Sequence, residues 1–483
     1  MTGDTVVVAG ATGFVGKALV EALVDDFEVI GLSRGATTMP RATMRKVDLL
    51  EAEATEAALV GARLAVYLVH SMMPSERLVQ GAFSDIDLIV ADNFARAAAK
   101  NGVQHIVYLG GLVPPGGPQS SHIASRVEVE EALAAYGVPV TTLRAGLVFG
   151  PGGSSSRIVF NLARRLPVMV CPRWTEVDTQ PIALDDVVAL IRYALLHADT
   201  RGETFDVGGP DVVTYRRMME QVGEVILGRK PLAMGVPVLT PGLSRLWVSL
   251  VTGAPKELVE PLIGSLSHPM VARDRRLQER AQIPGRPMSE VLPEAVSQDR
   301  DAGKPLAFQS AKSSGEPLVR SVQRMAAHGM NATEVADAYF EWLGALVPAL
   351  LFARRGDDVE LGINGWPRPL LVLRPLTKNE NRVVYHIVAG DLVAAPKTNT
   401  ATFEFREVLA GKSVLVSIAG YRPRLPWWLY VATQAQGHRL LMALFSRYLD
   451  DRDIAGVATQ GASSLFKRIR VWLRTSSAES ARA

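Results

Sequence analysis

Short apolar segments alternate with stretches of helical periodicity along the first 210 residues. The apolar segments, which predict strands, lie at 5–9, 28–32, 64–68, 105–109, 140–144 and 204–207. Helical patterns lie between them at 14–24, 86–101 and 126–136. Strands that alternate with helices predict a parallel sheet with helices on both faces. The predicted fold class is therefore α/β, with a doubly wound parallel sheet.

The pattern changes in the second half of the chain, where strands follow one another directly. A helical pattern at 332–346 precedes strand patterns at 359–363, 369–374, 382–389, 400–408 and 413–421, and an amphipathic helix follows at 427–449. This order predicts an α+β domain whose helix lies against a curved sheet. Frequent Pro, Gly and Ser indicate a linker. The predicted organisation is an α/β domain at 1–280, a linker at 281–325, an α+β domain at 326–455 and a basic helix and tail at 456–483.

Composition narrows the class of protein without defining a function. The 483 residues are 48% hydrophobic and 21% charged, which is typical of folded domains. The net charge of +3 is too balanced for a dedicated nucleic-acid-binding protein. The longest apolar run, about twelve residues, is shorter than the roughly 20 that a membrane-spanning helix needs. With a single cysteine, no signal-peptide pattern and no metal-site spacing, we expect a cytoplasmic protein without a metal site.

A glycine-rich motif, GATGFVG at 10–16, follows the first predicted strand and opens the first predicted helix. Gly10 permits a tight turn, Gly13 lets the backbone approach a pyrophosphate, and Gly16 lets the helix pack closely on the strand. The N-terminus of the helix faces the anion. Strand, loop and helix in this order predict a dinucleotide-binding site.

The residues that end the second strand favour NADP(H) over NAD(H). An Asp or Glu at this place would bind the ribose 2′-hydroxyl of NAD, but the chain has Ser33 and Arg34. Arg34 can bind a 2′-phosphate, and Ser33 can add a hydrogen bond. The alternative is that Arg34 is a solvated loop arginine.

Further motifs resemble the extended and atypical short-chain dehydrogenases/reductases over about residues 4–280. They include Asp48-Leu49, Asp92-Asn93, RAGLVFG at 144–150 and PIALDDV at 181–187. The segments YLGGL at 108–112, RLPVM at 165–169 and DVGGPD at 206–211 are similar to the NmrA-like, NAD(P)H-binding subgroup. The resemblance implies a Rossmann domain with these cofactor-binding residues: Gly10, Thr12, Gly13, Phe14, Val15, Gly16, Ser33, Arg34, Asp48, Leu49, Leu68, Val69, His70, Asn93, Gly110, Ala145, Gly146, Leu147 and Val148.

The chain departs from this family where the catalytic residues are expected. Active members use a Ser or Thr, and a Tyr four residues before a Lys. The corresponding positions here are near Gly111, at His122 and at Arg126. His122 is a candidate catalytic acid because imidazole titrates near neutral pH, and Arg126 is a candidate for holding the cofactor ribose or a substrate anion. The alternative is that His122 is a loop residue and Arg126 a surface cation paired with Glu130.

The predicted α+β domain faintly resembles the START-like, polyketide-cyclase-type helix-grip fold. That resemblance implies a cavity beneath the last helix, in which seven aromatic residues would form either the wall of an apolar pocket or a filled core. They are Trp366, Phe403, Phe405, Tyr421, Trp427, Trp428 and Tyr430. Beyond this domain, residues 464–474 read as a basic amphipathic helix, which predicts either contact with an anionic membrane or docking on the protein itself.

These features lead to three hypotheses about function. The first is an NADP(H)-dependent oxidoreductase that transfers a hydride to or from a lipophilic carbonyl, quinone or enone. The second is an NADP(H)-sensing regulator without turnover, which the missing Ser, Tyr and Lys favour. The third is a lipid-binding or carrier protein whose nucleotide domain is structural or regulatory.

Overall fold

The computed structural model describes residues 3–70, 79–117, 120–165, 168–236, 267–299, 318–346, 351–394 and 401–455. The chain forms two compact units. The first comprises Met1–Glu76 and Ile86–Lys312, and the second comprises Arg77–Asp85 and Ser313–Ala483. The predicted tail helix at 464–474 lies outside the described residues. Among the helices that are described, none is long and apolar enough to cross a membrane.

The described strands and helices are numbered here in chain order. The strands are β1 Thr5–Ala9, β2 Glu28–Ser33, β3 Thr43–Lys46, β4 Leu64–Tyr67, β5 Val79–Gln80, β6 His105–Gly111, β7 Val140–Ala145, β8 Val148–Phe149, β9 Val168–Pro172, β10 Asp178–Thr179, β11 Ile182–Ala183, β12 Thr204–Val207, β13 Val213–Thr214, β14 Leu232–Val236, β15 Val319–Ala326, β16 Leu351–Arg355, β17 Val359–Ile363, β18 Leu371–Asn379, β19 Arg382–Ala389, β20 Thr402–Val408 and β21 Ser413–Tyr421. The helices are α1 Phe14–Leu23, α2 Ala52–Ala58, α3 Phe83–Lys100, α4 Ser121–Ala134, α5 Ser154–Arg165, α6 Leu184–Leu196, α7 Tyr215–Leu227, α8 Arg276–Ala281, α9 Met288–Ser297, α10 Ala332–Leu346, α11 Trp427–Ala432 and α12 Gln434–Ala455.

The first unit is built on a seven-stranded parallel sheet with the order β12-β7-β6-β4-β1-β2-β3. Its central strands consist of consecutive apolar residues because helices cover both faces of a parallel sheet. In β1, for example, Val6, Val7 and Val8 are all fully buried. The predicted α/β class is confirmed. The order in which successive strands are added reverses between β1 and β4, which are parallel neighbours at the centre of the sheet. Such a reversal is where open α/β sheets bind ligands.

Part of the predicted linker at 281–325 is folded. Helix α9 occupies 288–297 with Pro293 inside it, and β15 occupies 319–326. Met288, Val291 and Leu292 are buried in an apolar cluster of the first unit. Burial of this face outweighs the loss of one helical hydrogen bond at the proline. Residues 300–317 lie outside the described part of the chain.

The second unit is a curled eight-stranded sheet with the order β16-β17-β18-β19-β20-β21-β15-β5, antiparallel except for the β15–β5 pair. Helices α10 and α12 bury their apolar faces against it. The ring of Tyr339 on α10 lies 5.7 Å from that of Phe403 and 5.1 Å from that of Phe445. The predicted helix on a curved sheet is confirmed. The single helix predicted at 427–449 is instead two, because the backbone leaves the helical conformation at Thr433.

The seven aromatic residues of this domain divide into two groups. Phe403, Phe405, Tyr421 and Tyr430 are buried in the core, and Trp427 packs against it partly buried. Trp366 and Trp428 are exposed. The described part of the unit therefore uses most of these rings as core, and the two remaining tryptophans as surface.

The opposite face of the second sheet carries a buried group of charges. On β20, Glu404 accepts hydrogen bonds from Arg406 Nε at 2.7 Å and from Arg382 Nε, on β19, at 2.6 Å. Burial by itself raises the pKa of Glu404, but the two guanidinium groups outweigh it and hold that pKa at about 2. The carboxylate thus stays ionised, and the two arginines depend on it for compensation.

Candidate functional site

The glycine loop between β1 and α1 has the close packing that the motif predicts. Gly10 adopts a positive φ of 87°, and a Cβ there would lie 3.2 Å from the carbonyl carbon of Leu68. A Cβ at Gly16 would collide with the carbonyl oxygen of Gly10. Gly13 forms the N-cap of α1 and has no side chain to satisfy the first backbone N–H groups. The loop is therefore shaped for an anion at this helix N-terminus, and it fits a dinucleotide pyrophosphate.

The other predicted cofactor-binding residues cluster at one edge of the parallel sheet. Ser33 ends β2, Leu68 to His70 follow β4, Gly110 lies near the end of β6, and Ala145 ends β7. Since the strands are parallel, their carboxyl ends meet at the same edge as the glycine loop. The fold thus gathers along one edge positions that are far apart in sequence.

Two residues at this edge bear on the choice between NAD(H) and NADP(H). Ser33 is buried and its hydroxyl donates a hydrogen bond to the Gly35 carbonyl at 2.6 Å, which leaves its lone pairs as acceptors. Arg34 is exposed beside it and makes no ion pair with another described residue. Its guanidinium is therefore available to a 2′-phosphate.

Asn93, on α3, lies beneath the segment after β3. Its buried amide donates hydrogen bonds to the carbonyls of Leu49 at 2.8 Å and Leu50 at 3.2 Å. Asp48 accepts from the Leu50 backbone N–H at 3.1 Å. In this arrangement Asn93 positions the Asp48–Leu49 segment through its backbone.

Two histidines and an aspartate form a continuous hydrogen-bonded chain, which we call the histidine relay (Asp87, His70 and His122). The Nδ1 atom of His70 lies 3.1 Å from Asp87 Oδ2, and its Nε2 lies 3.0 Å from Nε2 of His122. Asp87 is on α3 and only 2% exposed. His122 is in the first turn of α4, where Ser120 caps the helix by accepting from the Ile123 N–H. The sequence predicts separate roles for the two histidines, His70 at the cofactor and His122 as an acid, and no motif in it points to Asp87.

The pKa shifts define the resting protonation of the histidine relay. Burial, with help from His70 and Arg126, lowers the pKa of His122 to about 3. Burial and the nearby Arg126 also lower the pKa of His70, although Asp87 opposes them. Both imidazoles are therefore neutral at pH 7. With His70 donating from Nδ1 to Asp87, its Nε2 accepts from Nε2–H of His122.

Arg126 lies behind the relay and is buried, with 5% exposure. Its guanidinium lies 5.2 Å from the ring centre of Tyr108, whose hydroxyl donates to the Arg126 carbonyl at 3.1 Å. The surface pairing with Glu130 is excluded, because Glu130 binds Arg144 instead. The Nη1 atom of Arg126 is buried without a hydrogen-bond partner. A buried guanidinium nitrogen of this kind is suited to a polar group of a bound molecule.

Gly111, near the position of the catalytic Ser in the family that the sequence resembles, lies beside Arg126. A Cβ there would be 3.6 Å from Ile123 Cδ1 and 3.7 Å from Arg126 Cγ, which is ordinary contact. The fold thus leaves room for a side chain at Gly111, and steric crowding does not explain why a serine hydroxyl is absent there.

A separate cavity of about 450 Å³ opens beside the start of α1. It is lined by Thr12, Gly13 and Phe14, and also by Lys17 and Arg286, but not by any member of the histidine relay. It shares only the glycine loop with the predicted cofactor residues. The candidate chemistry therefore belongs to the relay and not to this cavity.

Comparison with known proteins identifies the type of the first domain. Residues 6–208 match the family of NAD dependent epimerases and dehydratases, and they span the sheet from β1 to β12. These residues are thus an NAD(P)-binding Rossmann domain of the atypical short-chain dehydrogenase/reductase type. The predicted resemblance is confirmed at this level, while the NmrA-like subgroup and the preference for NADP(H) stay predictions.

Two curated relatives match parts of the chain. Auxiliary protein GraX from Staphylococcus aureus is 34% identical over 148 residues, which are 30% of this chain and 44% of GraX. The 40 kDa subunit of mitochondrial NADH-ubiquinone oxidoreductase from Neurospora crassa is 21% identical over 239 residues, 47% of this chain and 62% of that subunit. The chain thus spans about half the length of the curated relatives it matches.

Solved structures also align with the chain. A nucleoside-diphosphate-sugar epimerase from Staphylococcus aureus aligns with a TM-score of 0.49 and 14% identity, over 60% of this chain and all of that one. An NADPH-dependent quinone oxidoreductase from Escherichia coli aligns with a TM-score of 0.47 and 17% identity, over 59% of this chain and 98% of that one.

Proposed function

We propose that the protein is an NADP(H)-dependent oxidoreductase that transfers a hydride to or from a lipophilic carbonyl or quinone. The observation that carries this proposal is the histidine relay, which starts at a buried carboxylate and ends at the position where the family has its catalytic tyrosine. A relay of this kind can deliver and recover a proton without the usual Tyr and Lys.

The cofactor would be held by the glycine loop at its pyrophosphate and by Arg34 at a 2′-phosphate. When bound, its nicotinamide supplies or accepts the hydride. Arg126 would offer its unpartnered Nη1–H to a ribose hydroxyl or a substrate anion. Because a guanidinium stays protonated, Arg126 orients and does not relay protons.

In the reducing direction the relay begins with one extra proton, as an imidazolium at His70 held by Asp87. As the hydride reaches the carbonyl carbon, His122 gives its Nδ1 proton to the carbonyl oxygen and takes a proton on Nε2 from His70. The product is the alcohol, and the relay returns to its neutral state. His70, with 23% of its side chain exposed, then regains a proton from solvent. A quinone would take the hydride at one oxygen and this single proton at the other, which gives the hydroquinone.

A second candidate is an NADP(H)-binding protein without turnover. The absence of the Ser, Tyr and Lys favours it. Two relatives also bear names that describe accessory parts, an auxiliary protein and a subunit of a larger enzyme. The carrier reading receives less support, because four of the seven aromatic side chains expected around a ligand are packed into the core.

For the second unit we propose a START-like, polyketide-cyclase-type identity and a role in presenting the lipophilic substrate. The support is the long helix α12 on a curled antiparallel sheet. We further propose that the protein acts in the cytoplasm.

A binding and turnover assay separates these candidates. Nucleotide-stripped protein is titrated with NADPH and with NADH, and the loaded protein is then incubated with a panel of quinones and lipophilic carbonyls. We expect tighter binding of NADPH, and its oxidation by one chemical class. Tight binding with no oxidation across the panel would favour the non-catalytic candidate, and failure to bind either nucleotide would contradict both.

Replacing Arg34 by aspartate is expected to weaken NADPH binding by on the order of 100-fold and NADH binding little. A charge-assisted hydrogen bond contributes about 1.5–3 kcal/mol, and the new carboxylate adds repulsion. Calorimetric titration of both nucleotides gives the ratio. The matched control is Arg41→Asp. Arg41 is an exposed arginine close to Arg34 in sequence, and it is paired with Asp25. Equal losses for both nucleotides would contradict the 2′-phosphate assignment.

A further inference from the structure

Two tryptophans of the second unit are exposed. Trp366, in the loop between β17 and β18, is 55% exposed, and Trp428, in the first turn of α11, is 71% exposed. Val431, one turn beyond Trp428, is also exposed. The neighbouring Trp427 and Tyr430 supply the contacts of α11 with the core. Packing against the core of the unit therefore does not account for the two exposed tryptophan rings.

The loops that carry these residues are tied together by Asp391. Its carboxylate accepts a hydrogen bond from the Trp366 indole N–H at 2.8 Å and another from Arg424 Nη1 at 3.3 Å. The backbone N–H of Arg424 also donates to the Leu392 carbonyl at 3.0 Å. Arg424 lies three positions before the first residue of α11, so the same network orients the start of that helix. The surface is thus built by ordered loops.

Cations flank the aromatic residues. The side chains of Arg368 and Arg424 are 71% and 60% exposed, and Asp391 is the carboxylate that both approach. We call these five residues the Trp–Arg patch (Trp366, Arg368, Arg424, Trp428 and Val431). Tryptophan favours the boundary between the headgroups and the acyl chains of a bilayer, and arginine is attracted to anionic headgroups.

We propose that the Trp–Arg patch binds the surface of an anionic lipid membrane. A buried tryptophan contributes about 150–250 Å² of contact, so two tryptophans and a valine fall short of the roughly 800 Å² per partner of a stable protein interface. Shallow insertion of a few side chains into a bilayer needs no larger area. The indole N–H of Trp366 is already hydrogen-bonded to Asp391, so insertion of this ring leaves no unpaired donor. This proposal does not depend on the catalytic one.

Co-sedimentation of the full chain with lipid vesicles tests whether the Trp–Arg patch binds an anionic membrane. One set of vesicles is phosphatidylcholine, and in the other phosphatidylglycerol replaces half of the lipid. We expect binding to the anionic vesicles, with losses on the order of tenfold for Trp428→Ala and about fivefold for Arg368→Gln. Leu376→Ala and Lys378→Gln, which remove an exposed apolar side chain and an exposed cation from β18, are the matched controls and should bind as the wild type does.

Three results would overturn the proposal. The first is no binding to anionic vesicles by protein that still unfolds cooperatively. The second is equal binding of Trp428→Ala and the wild type, which would assign membrane contact to the basic segment at 464–474. The third is a change in oligomeric mass of Trp428→Ala without loss of vesicle binding, which would identify a protein contact. Because Trp428 is mostly exposed, its replacement should leave the melting temperature unchanged.

Discussion

Replacement of His122 by phenylalanine is expected to lower kcat for the carbonyl or quinone substrate by about 10²- to 10⁴-fold, the usual contribution of a positioned acid or base. Phenylalanine fills similar volume but has no nitrogen to exchange a proton with substrate or with His70. The Kd for NADPH should be unchanged, because the glycine loop and Arg34 lie elsewhere along the sheet edge. Stopped-flow turnover and a nucleotide titration on the same preparation measure the two quantities.

A matched control is His197→Phe, which changes an exposed histidine stacked on Tyr193 in the same unit. It should leave kcat at the wild-type value. Asp87→Asn should lower kcat while leaving His122 in place, since the amide no longer stabilises an imidazolium at His70. Unchanged turnover in His122→Phe would remove His122 from the mechanism, whatever the controls show.

The relay also predicts the direction of the pH dependence. The extra proton needed for reduction binds only below the lowered pKa of His70. The rate of reduction should therefore rise as the pH falls below neutrality, and the rate of the reverse oxidation should rise toward higher pH. In Asp87→Asn this dependence should shift to lower pH, because Asp87 raises the pKa of His70.

Replacement of Glu404 by glutamine is expected to lower the free energy of unfolding of the second unit by about 3–5 kcal/mol, the usual loss when one partner of a buried ion pair is removed. The reason is that Arg406, only 2% exposed, and the neighbouring Arg382 would keep their charges without the carboxylate. Urea denaturation followed by far-UV circular dichroism measures the loss.

Acid titration gives an independent signature of the same group. The folded-state pKa of Glu404, about 2, lies below the ordinary value of 4.5. Its stabilising contribution is therefore fully present above pH 4.5 and is lost as the pH falls toward 2. The wild type should lose stability over this range more steeply than Glu404→Gln. Asp358→Asn, which breaks the exposed pair with Arg374, is the control and should change stability much less.

The sheet of the first unit is largely predictable from sequence because strands buried on both faces are continuous apolar runs. The bounds of β1 and β12 agree with the predicted 5–9 and 204–207. Strand β3 does not stand out as an apolar segment, since its sequence, TMRK, is short and mostly polar. It can be polar because it is the edge of the sheet, where one side is open to water.

The histidine relay shows why only part of the site is predictable. His122 and Arg126 were found through their four-residue spacing, which matches the spacing of the family's Tyr and Lys. Asp87 lies in a mostly apolar helix, 17 positions after His70, and no motif links the two. Their contact arises only when α3 packs beside the end of β4. A buried carboxylate within an apolar helix is the one signal that could have drawn attention to it.

In the second unit, alternating patterns predicted the middle strands well, and β17, β19 and β21 agree with the predicted bounds. Strand β15 was not predicted because its apolar residues Val319, Val322 and Met325 recur every third position instead of every second, in a segment that follows many prolines. Strand β5 has only two residues and could not be recognised by any periodicity.

Because β5 pairs with a strand that is synthesised much later, the sheet of the second unit cannot be completed until β15 has been made. Gln80 of β5 pairs with Ser321 of β15, about 240 positions later, so the segment leaves the ribosome long before its partner does. At the usual elongation rate of about 5–20 residues per second, it waits on the order of 10 to 50 s for β15. During that interval Val79 and Gln80 lack the strand with which they pair in the folded unit. A gene fragment beginning at β15 would likewise encode seven strands of an eight-stranded sheet.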